Sequence, residues 1–281
     1  MLDAYYNGSF MKREEVRIPL TNRSVFFGDA VYDAAIGRNG NIFMLYEHID
    51  RLLLGAQALS ISVGYTREEL RELLLKLVAL SEIRDSDYFV YFQLSRSLSE
   101  RRHSYPDGCG SSLLITVTPI TLLPEKRRLE LVSYPDVRYG LCNVKTVNLL
   151  PAVLASKYAE DMGADEAVFI REGTVTECAH SNAHIIRGGI LYTHPESCRI
   201  LSGISRRHLL DVCRRSGIEY REQPFSPDEM KQAEAVLVTS ASKLCLKAAR
   251  VDDAEYGECL LADYLLEKMR RDYRDFCGNL R

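Results

Sequence analysis

The sequence predicts an α+β protein of two lobes, and three observations carry the prediction. Aromatic and β-branched runs recur along the chain, segments with helical apolar spacing stand between them, and a polar, proline-bearing stretch, TLLPEKRR (121–128), separates two strand-like runs. A chain of 281 residues, 46% hydrophobic and 27% charged, is long enough for two real cores. The expected division is an N-terminal α+β lobe over 1–120, a linker over 121–128 and a C-terminal lobe over 129–281.

In chain order, the first 45 residues alternate and turn, and Asn39-Gly40 between VYDAAIG and IFMLYE marks a hairpin, since both turn positions need positive φ. A helix is expected from about Glu47, where Ile49, Leu52, Leu53, Ala56 and Leu59 recur at helical spacing. Thr66-x-x-Glu69 is a capping box that opens a second helix with Leu70, Leu73, Leu74 and Leu77 as its buried stripe. YFVYFQLS (88–95) and SLLITVTP (112–119) read as strands, as does LELVSYP (129–135) beyond the linker. Pro151 suits the first turn of a helix and Gly163 its C-terminal cap. EAVFI, TVTE and HIIRGGILYT read as an antiparallel meander, SGISRRHLLDVCRRSG as a glycine-led loop running into a helix, Ser226-x-x-Glu229 as another cap, AVLVT as a buried strand, and residues from about 258 to 273 as a terminal helix.

The bulk properties exclude several classes. A formal charge of -3 provides no field to gather nucleic acid or an anionic membrane, and most of the arginine pairs are surrounded by acidic residues. No stretch approaches the roughly 20 apolar residues of a membrane helix, and MLDAYYNGSFMKREE lacks the pattern of a secretory signal. The eight cysteines are scattered, with no C-x-x-C and no zinc spacing, so buried thiols in the cytosol are expected, and no metal.

Three features bear chemistry. Lys145, in CNVKTVNLL, has apolar neighbours and no acidic residue for several positions; a lysine in an apolar strand can lose its proton through desolvation and attack a carbonyl. The alternative for that residue alone is a strand-edge lysine reaching solvent. Leu201-Ser202-Gly203-Ile204-Ser205 before a helix offers backbone N–H groups and dipole charge to a phosphate, although Ser and Gly also merely cap helices. Arg101-Arg102-His103, following Arg96 in a loop between two strands, could hold a carboxylate, or could simply be solvated.

In this order and spacing the chain resembles the fold-type IV pyridoxal-phosphate enzymes: D-amino-acid aminotransferases, branched-chain aminotransferases and aminodeoxychorismate lyases. The resemblance runs through YNG (6–8), FFGDAVYDA (26–34), EHIDRL (47–52), VKTVNLLPAVLA (144–155), GADEAVFIREGTVTE (163–177), SNAHII (181–186), ILSGISRR (200–207) and VTSASK (238–243). It implies a smaller N-terminal α/β sandwich, a larger C-terminal lobe with a mostly antiparallel, barrel-like core, pyridoxal 5′-phosphate as cofactor, and a homodimer with shared active sites. It also implies a role for each matched position. Lys145 would carry the cofactor as a Schiff base and shuttle the proton. Glu177 would hold the pyridine nitrogen protonated. Arg51 would pair with the phosphate, helped by Ile204, Ser205, Ser181, Ser240 and Ala241, and Tyr32 would line the substrate side of the ring.

The loop VYFQLSRSLSERRHSYP selects the subgroup. Arg101 and His103 match the Arg-x-His with which D-amino-acid aminotransferases trap the substrate carboxylate in the partner's site, and Arg138 matches an arginine at the mouth of that site. The implied activity is transamination between a D-amino acid and 2-oxoglutarate or pyruvate. The alternatives are a branched-chain L-aminotransferase, an aminodeoxychorismate lyase or, more remotely, a non-catalytic cofactor-binding protein. Departures from the pattern bear on substrate choice: Cys178-Ala179-His180 in place of a serine run, Ala241 in place of threonine, and Lys243-Leu244-Cys245-Leu246-Lys247 in place of small residues and proline.

Overall fold

The computed structural model describes residues 1–278, and contacts divide the chain into two units. The first comprises 1–122, 144–148 and, among the described residues, 275–278; the second comprises 123–143 and 149–274.

The first unit holds β1 (Ala4–Tyr6), β2 (Ser9–Met11), α1 (Arg23–Phe27), β3 (Ala30–Arg38), β4 (Asn41–Ile42), α2 (Leu45–Ala58), α3 (Arg67–Leu80), β5 (Asp87–Arg96) and β6 (Ser111–Ile120). Its six strands form one antiparallel sheet in the order β2-β1-β6-β5-β3-β4. Asn39 and Gly40 turn β3 into β4 with φ of +54° and +79°, the left-handed pair that a two-residue hairpin requires. Tyr88, Val90, Phe92 and Leu94 alternate inward along β5 and bury themselves against Leu70, Leu74 and Leu77 of α3 and Ile49 and Leu52 of α2. Thr66 accepts from the Glu69 amide and Glu69 accepts from the Thr66 amide, so the capping box fixes where α3 begins.

The second unit holds β7 (Arg128–Pro135), α4 (Leu150–Asp161), β8 (Glu166–Arg171), β9 (Thr174–Cys178), β10 (Asn182–Arg187), β11 (Ile190–Thr193), α5 (Ile204–Arg215), β12 (Tyr220–Glu222), α6 (Pro227–Lys231), β13 (Ala235–Ser240), β14 (Leu244–Val251), β15 (Ala254–Glu255) and most of α7 (Leu260–Phe276). The strands form one mixed sheet in the order β12-β11-β10-β13-β14-β7-β8-β9, with β15 on β14. Antiparallel pairs predominate, but β7 runs parallel to both β8 and β14, and β11 parallel to β12.

The expected meander is therefore split. β8 pairs with β9 and β10 with β11, but β13 lies on the other side of β10, and β9 is an edge strand. In a flat sheet β9 and β10 would stand five strand spacings apart, roughly 24 Å. Yet only residues 179–181 join Cys178 to Asn182, a reach of at most about 15 Å. The sheet must curl, and it does so around Val168, Val175, Ile185, Val236, Val238 and Leu246.

Lys145 does not lie in a strand as expected. Residues 144–148 form an irregular segment pinned by the Tyr32 amide to the Lys145 carbonyl at 2.9 Å, the Val147 amide to the Ala30 carbonyl at 3.3 Å and a single bridge, Val31 to Thr146. Backbone pairing of this kind needs only one or two contacts, so apolar flanks mark burial here rather than a ladder.

Candidate active site

Within the first unit, β3 presents Tyr32 and Asp33 on successive positions, so their side chains leave on opposite faces. Asp33 is fully buried and accepts from His48 Nδ1 at 2.7 Å and from Arg51 through Nε at 2.7 Å and Nη2 at 2.9 Å. His48 and Arg51 lie three residues apart on α2 and share a face. Burial alone would raise the Asp33 pKa, but Arg51 and His48 hold it well below the usual carboxylate range. Burial pushes His48 down, against the pull of Asp33, with the charges of Arg51 and Lys145 adding to the decrease. The result is an arginine whose planar head is aimed by a buried carboxylate, which preorganises it for an anion.

Tyr32 turns to the other side, where the Lys145 amine lies 4.4 Å from its ring centroid and Tyr91 stacks on it at 5.3 Å. The Tyr32–Lys145 backbone hydrogen bond keeps ring and amine in register. Arg101, Arg102 and His103 are exposed in the loop between β5 and β6. Beneath them, Asp29 takes Arg23 Nε at 2.7 Å and Arg96 Nε at 2.9 Å, and Arg23 donates to the carbonyls of Arg102 and His103. The guanidinium of Arg101 stands over the rings of Phe26 and Phe27, and His103 packs beside Phe27.

In the second unit Glu177, on β9, is nearly buried. Its Oε2 accepts from Asn182 Nδ2 at 2.9 Å and from the Leu201 amide at 3.0 Å, while Oε1 pairs with Arg138 Nη1. Arg138 was expected at the mouth of the substrate site. Its guanidinium donates to both oxygens of Asp136, to Glu177 and to the Arg199 carbonyl, over the Phe169 ring. Burial would raise the Asp136 carboxyl, but Arg138 and Arg171 lower it, so an anion stands on the far side of Arg138 as well.

Asn182 also fixes the start of α5. Its Nδ2 donates to the Leu201 carbonyl at 2.9 Å, and a Cβ on Gly203 would come within 2.0 Å of its Oδ1, so only glycine fits at this N-cap. Gly203 brings no side-chain oxygen, and the first turn, with Ile204 and Ser205 buried, has no side-chain cap. An uncapped N-terminus of a three-turn helix suits an anion. Ser181 stands elsewhere in the expected set: its hydroxyl donates to the buried Glu166 at 3.0 Å. Ser240, half-buried at the end of β13, accepts from the Lys243 amide, and Ala241 follows it.

Asp33, His48, Asp136 and Asn182 were missed by motif reasoning. Asp33, His48 and Asn182 carried a signal, since they lie inside matched motifs, and a buried arginine needs a carboxylate; Asp136 lies in none of those motifs.

The family model described as amino-transferase class IV matches residues 30–251. A D-alanine aminotransferase of Bacillus licheniformis is 32% identical over 90% of this chain and 89% of its own length. That of Listeria monocytogenes is 32% identical over 98% and 97%. Among solved structures, a branched-chain aminotransferase from Thermoproteus uzoniensis superposes with a TM-score of 0.91 at 21% identity, covering 98% of both chains. A putative 4-amino-4-deoxychorismate lyase from Legionella pneumophila gives 0.85 at 23% identity, over 92% of this chain and 97% of the other. The fold is that of these enzymes, and the chain belongs to the class IV aminotransferase family.

Proposed function

We propose that this chain is a pyridoxal-phosphate-dependent aminotransferase that moves the amino group of a D-amino acid to a 2-oxo acid such as 2-oxoglutarate or pyruvate in a ping-pong cycle. The observation that carries the reading is the Lys145 amine held over Tyr32, in a unit that also holds Arg51 on buried Asp33. The D-alanine aminotransferases matched over most of the chain support the substrate class. Two solved structures of a branched-chain aminotransferase with this fold carry pyridoxamine 5′-phosphate and a phosphopyridoxyl glutamate.

In the first unit Arg51 would suit the cofactor's phosphate and Lys145 its aldehyde carbon; in the second, the uncapped turn at Ile204 and Ser205 would suit a phosphate and Glu177 a pyridine nitrogen. Bound there, the cofactor supplies an electron sink for the substrate Cα. Lys145 would hold the cofactor's aldehyde carbon through its amine and would move a proton at the substrate Cα. Tyr32 bounds the space in which that amine moves. Glu177 keeps a negative charge for the ring nitrogen, secured by Arg138. Arg101 and His103, carried on the loop that Arg23 fastens, receive the substrate carboxylate in the partner's site, with the arginine offering two hydrogen bonds and the histidine one.

A homodimer accords with two apolar faces. Leu150, Val153, Leu154, Tyr158 and Met162 are exposed on or just after α4, and Leu20, Val25, Phe26 and Leu98 in the first unit. Eight free cysteines suit a cytoplasmic setting. Among the described residues no helix is long and apolar enough to cross a membrane.

Lys145→Ala tests the reading: turnover and the visible absorption of bound cofactor should vanish together, because both need one amine. A Lys145→Ala protein that keeps both would remove Lys145 from the site.

A further inference from the structure

Glu166, at the start of β8, is buried completely and surrounded by donors. Its Oε1 accepts from the His180 amide at 2.9 Å and its Oε2 from Ser181 Oγ and Lys243 Nζ, each at 3.0 Å. The Lys243 ammonium also lies 2.9 Å from His180 Nε2 and 3.4 Å from Ser181 Oγ. An ammonium only donates, so His180 Nε2 accepts and the imidazole proton sits on Nδ1, 3.3 Å from Glu166 Oε1. Burial would raise the Glu166 carboxyl, but Lys243 and the His180 ring and amide bring it below its ordinary value, so the carboxylate is charged.

Burying such a pair seldom stabilises a fold more than apolar packing would; its best-attested service is to specify one geometry. Here the specified geometry is a junction. The loop 179–181 joins Glu177 to Asn182, the residue that grips Glu177, and is closed by the Cys178 amide on the Ser181 carbonyl at 2.7 Å. Lys243 belongs to the turn after β13 and donates its own amide to Ser240. One ammonium therefore ties the loop behind Glu177 to the turn that carries Ser240.

We propose that Lys243, acting through Glu166 and His180, is a positioning residue that sets the Glu177–Asn182 pair and thereby the affinity for pyridoxal 5′-phosphate. The proposal rests on the cofactor reading above.

The test compares Lys243→Met, Glu166→Gln and the double variant by two readouts: the equilibrium dissociation constant of pyridoxal 5′-phosphate, and the thermal midpoint without added cofactor. Each single variant strands one buried charge and should lower the midpoint, and the double variant should recover it. Cofactor affinity should stay down about tenfold in the double variant, because neutral groups no longer hold the loop. Recovery of midpoint and affinity together would make the pair a structural staple and overturn the proposal. A second arm guards against misfolding of the double variant. Lys243→Arg keeps the charge on Glu166 and should bind the cofactor within about threefold of wild type, whereas Lys243→Gln should fall about tenfold. Equal affinities of these two would also overturn it. A wild-type protein that takes up no cofactor would fail the cofactor reading itself, an outcome visible before any variant is made.

Discussion

A carboxylate that serves a pyridine nitrogen has to remain charged while nearly buried, and at Glu177 this falls to Arg138, Asn182 and the Leu201 amide. Arg138→Met should cost about 3–5 kcal/mol of stability, since it removes the guanidinium from Glu177 and leaves Arg171 as the remaining cation on Asp136. Denaturant unfolding measures this, and a loss below about 1 kcal/mol would show that the network is slack. Glu177→Gln should keep the cofactor but slow turnover by about 10²-fold, as expected when one electrostatic contact to the developing charge is lost. Wild-type turnover would release Glu177 from its role. Arg51→Ala should weaken cofactor binding by one to two decades, about 1.5–3 kcal/mol for a charge-assisted contact, and should also destabilise the fold by exposing Asp33's charge to an apolar site. Lys145, Glu177 and Arg51 could be named as candidates because their surrounding motifs are local strings. Their partners were not: Asp33 reaches Arg51 across 18 positions and Arg138 reaches Glu177 across 39, distances along the chain that no short pattern encodes.

At the scale of elements, what a few adjacent residues dictate was readable and what distant segments decide was not. The Thr66 and Ser226 capping boxes, the Asn39-Gly40 turn and the long strands of the first unit fall within a residue or two of expectation, because caps, left-handed turns and alternation are local physics. The split of the meander by β13, and the parallel pairing of β7, depend on which strand arrives beside which, and the uniform burial of β13 leaves no periodicity to read. That burial also has a titration consequence. His184 on β10 is fully buried against Thr239 of β13, and burial, with the charge of Arg206, pulls its pKa from 6.5 to about 3. Between these values the unfolded chain binds a proton that the native one refuses, so stability falls as pH falls, by about 1.4 kcal/mol per pH unit from this group. His184→Gln should flatten the dependence of unfolding free energy on pH between about 4 and 6 by up to that slope. An unchanged slope would place the proton uptake elsewhere.

For the whole molecule, the exposed position of Arg101 and His103 matters most. If their loop completes the partner's site, Arg101→Ala or His103→Ala should raise KM for amino acids without altering cofactor absorption, the arginine more than the histidine. Mixed dimers of Arg101→Ala and Lys145→Ala chains should then regain activity, because one site would carry both lesions and the other neither; mixed dimers that form and stay inactive would contradict shared sites. The subgroup itself is decided by products. Protein loaded with pyridoxal 5′-phosphate and given D-alanine and 2-oxoglutarate should form pyruvate and D-glutamate in equal amounts, and L-alanine should yield neither. Turnover of L-branched-chain amino acids with no turnover of D-alanine, or pyruvate released from aminodeoxychorismate without an amino acceptor, would contradict D-amino-acid transamination.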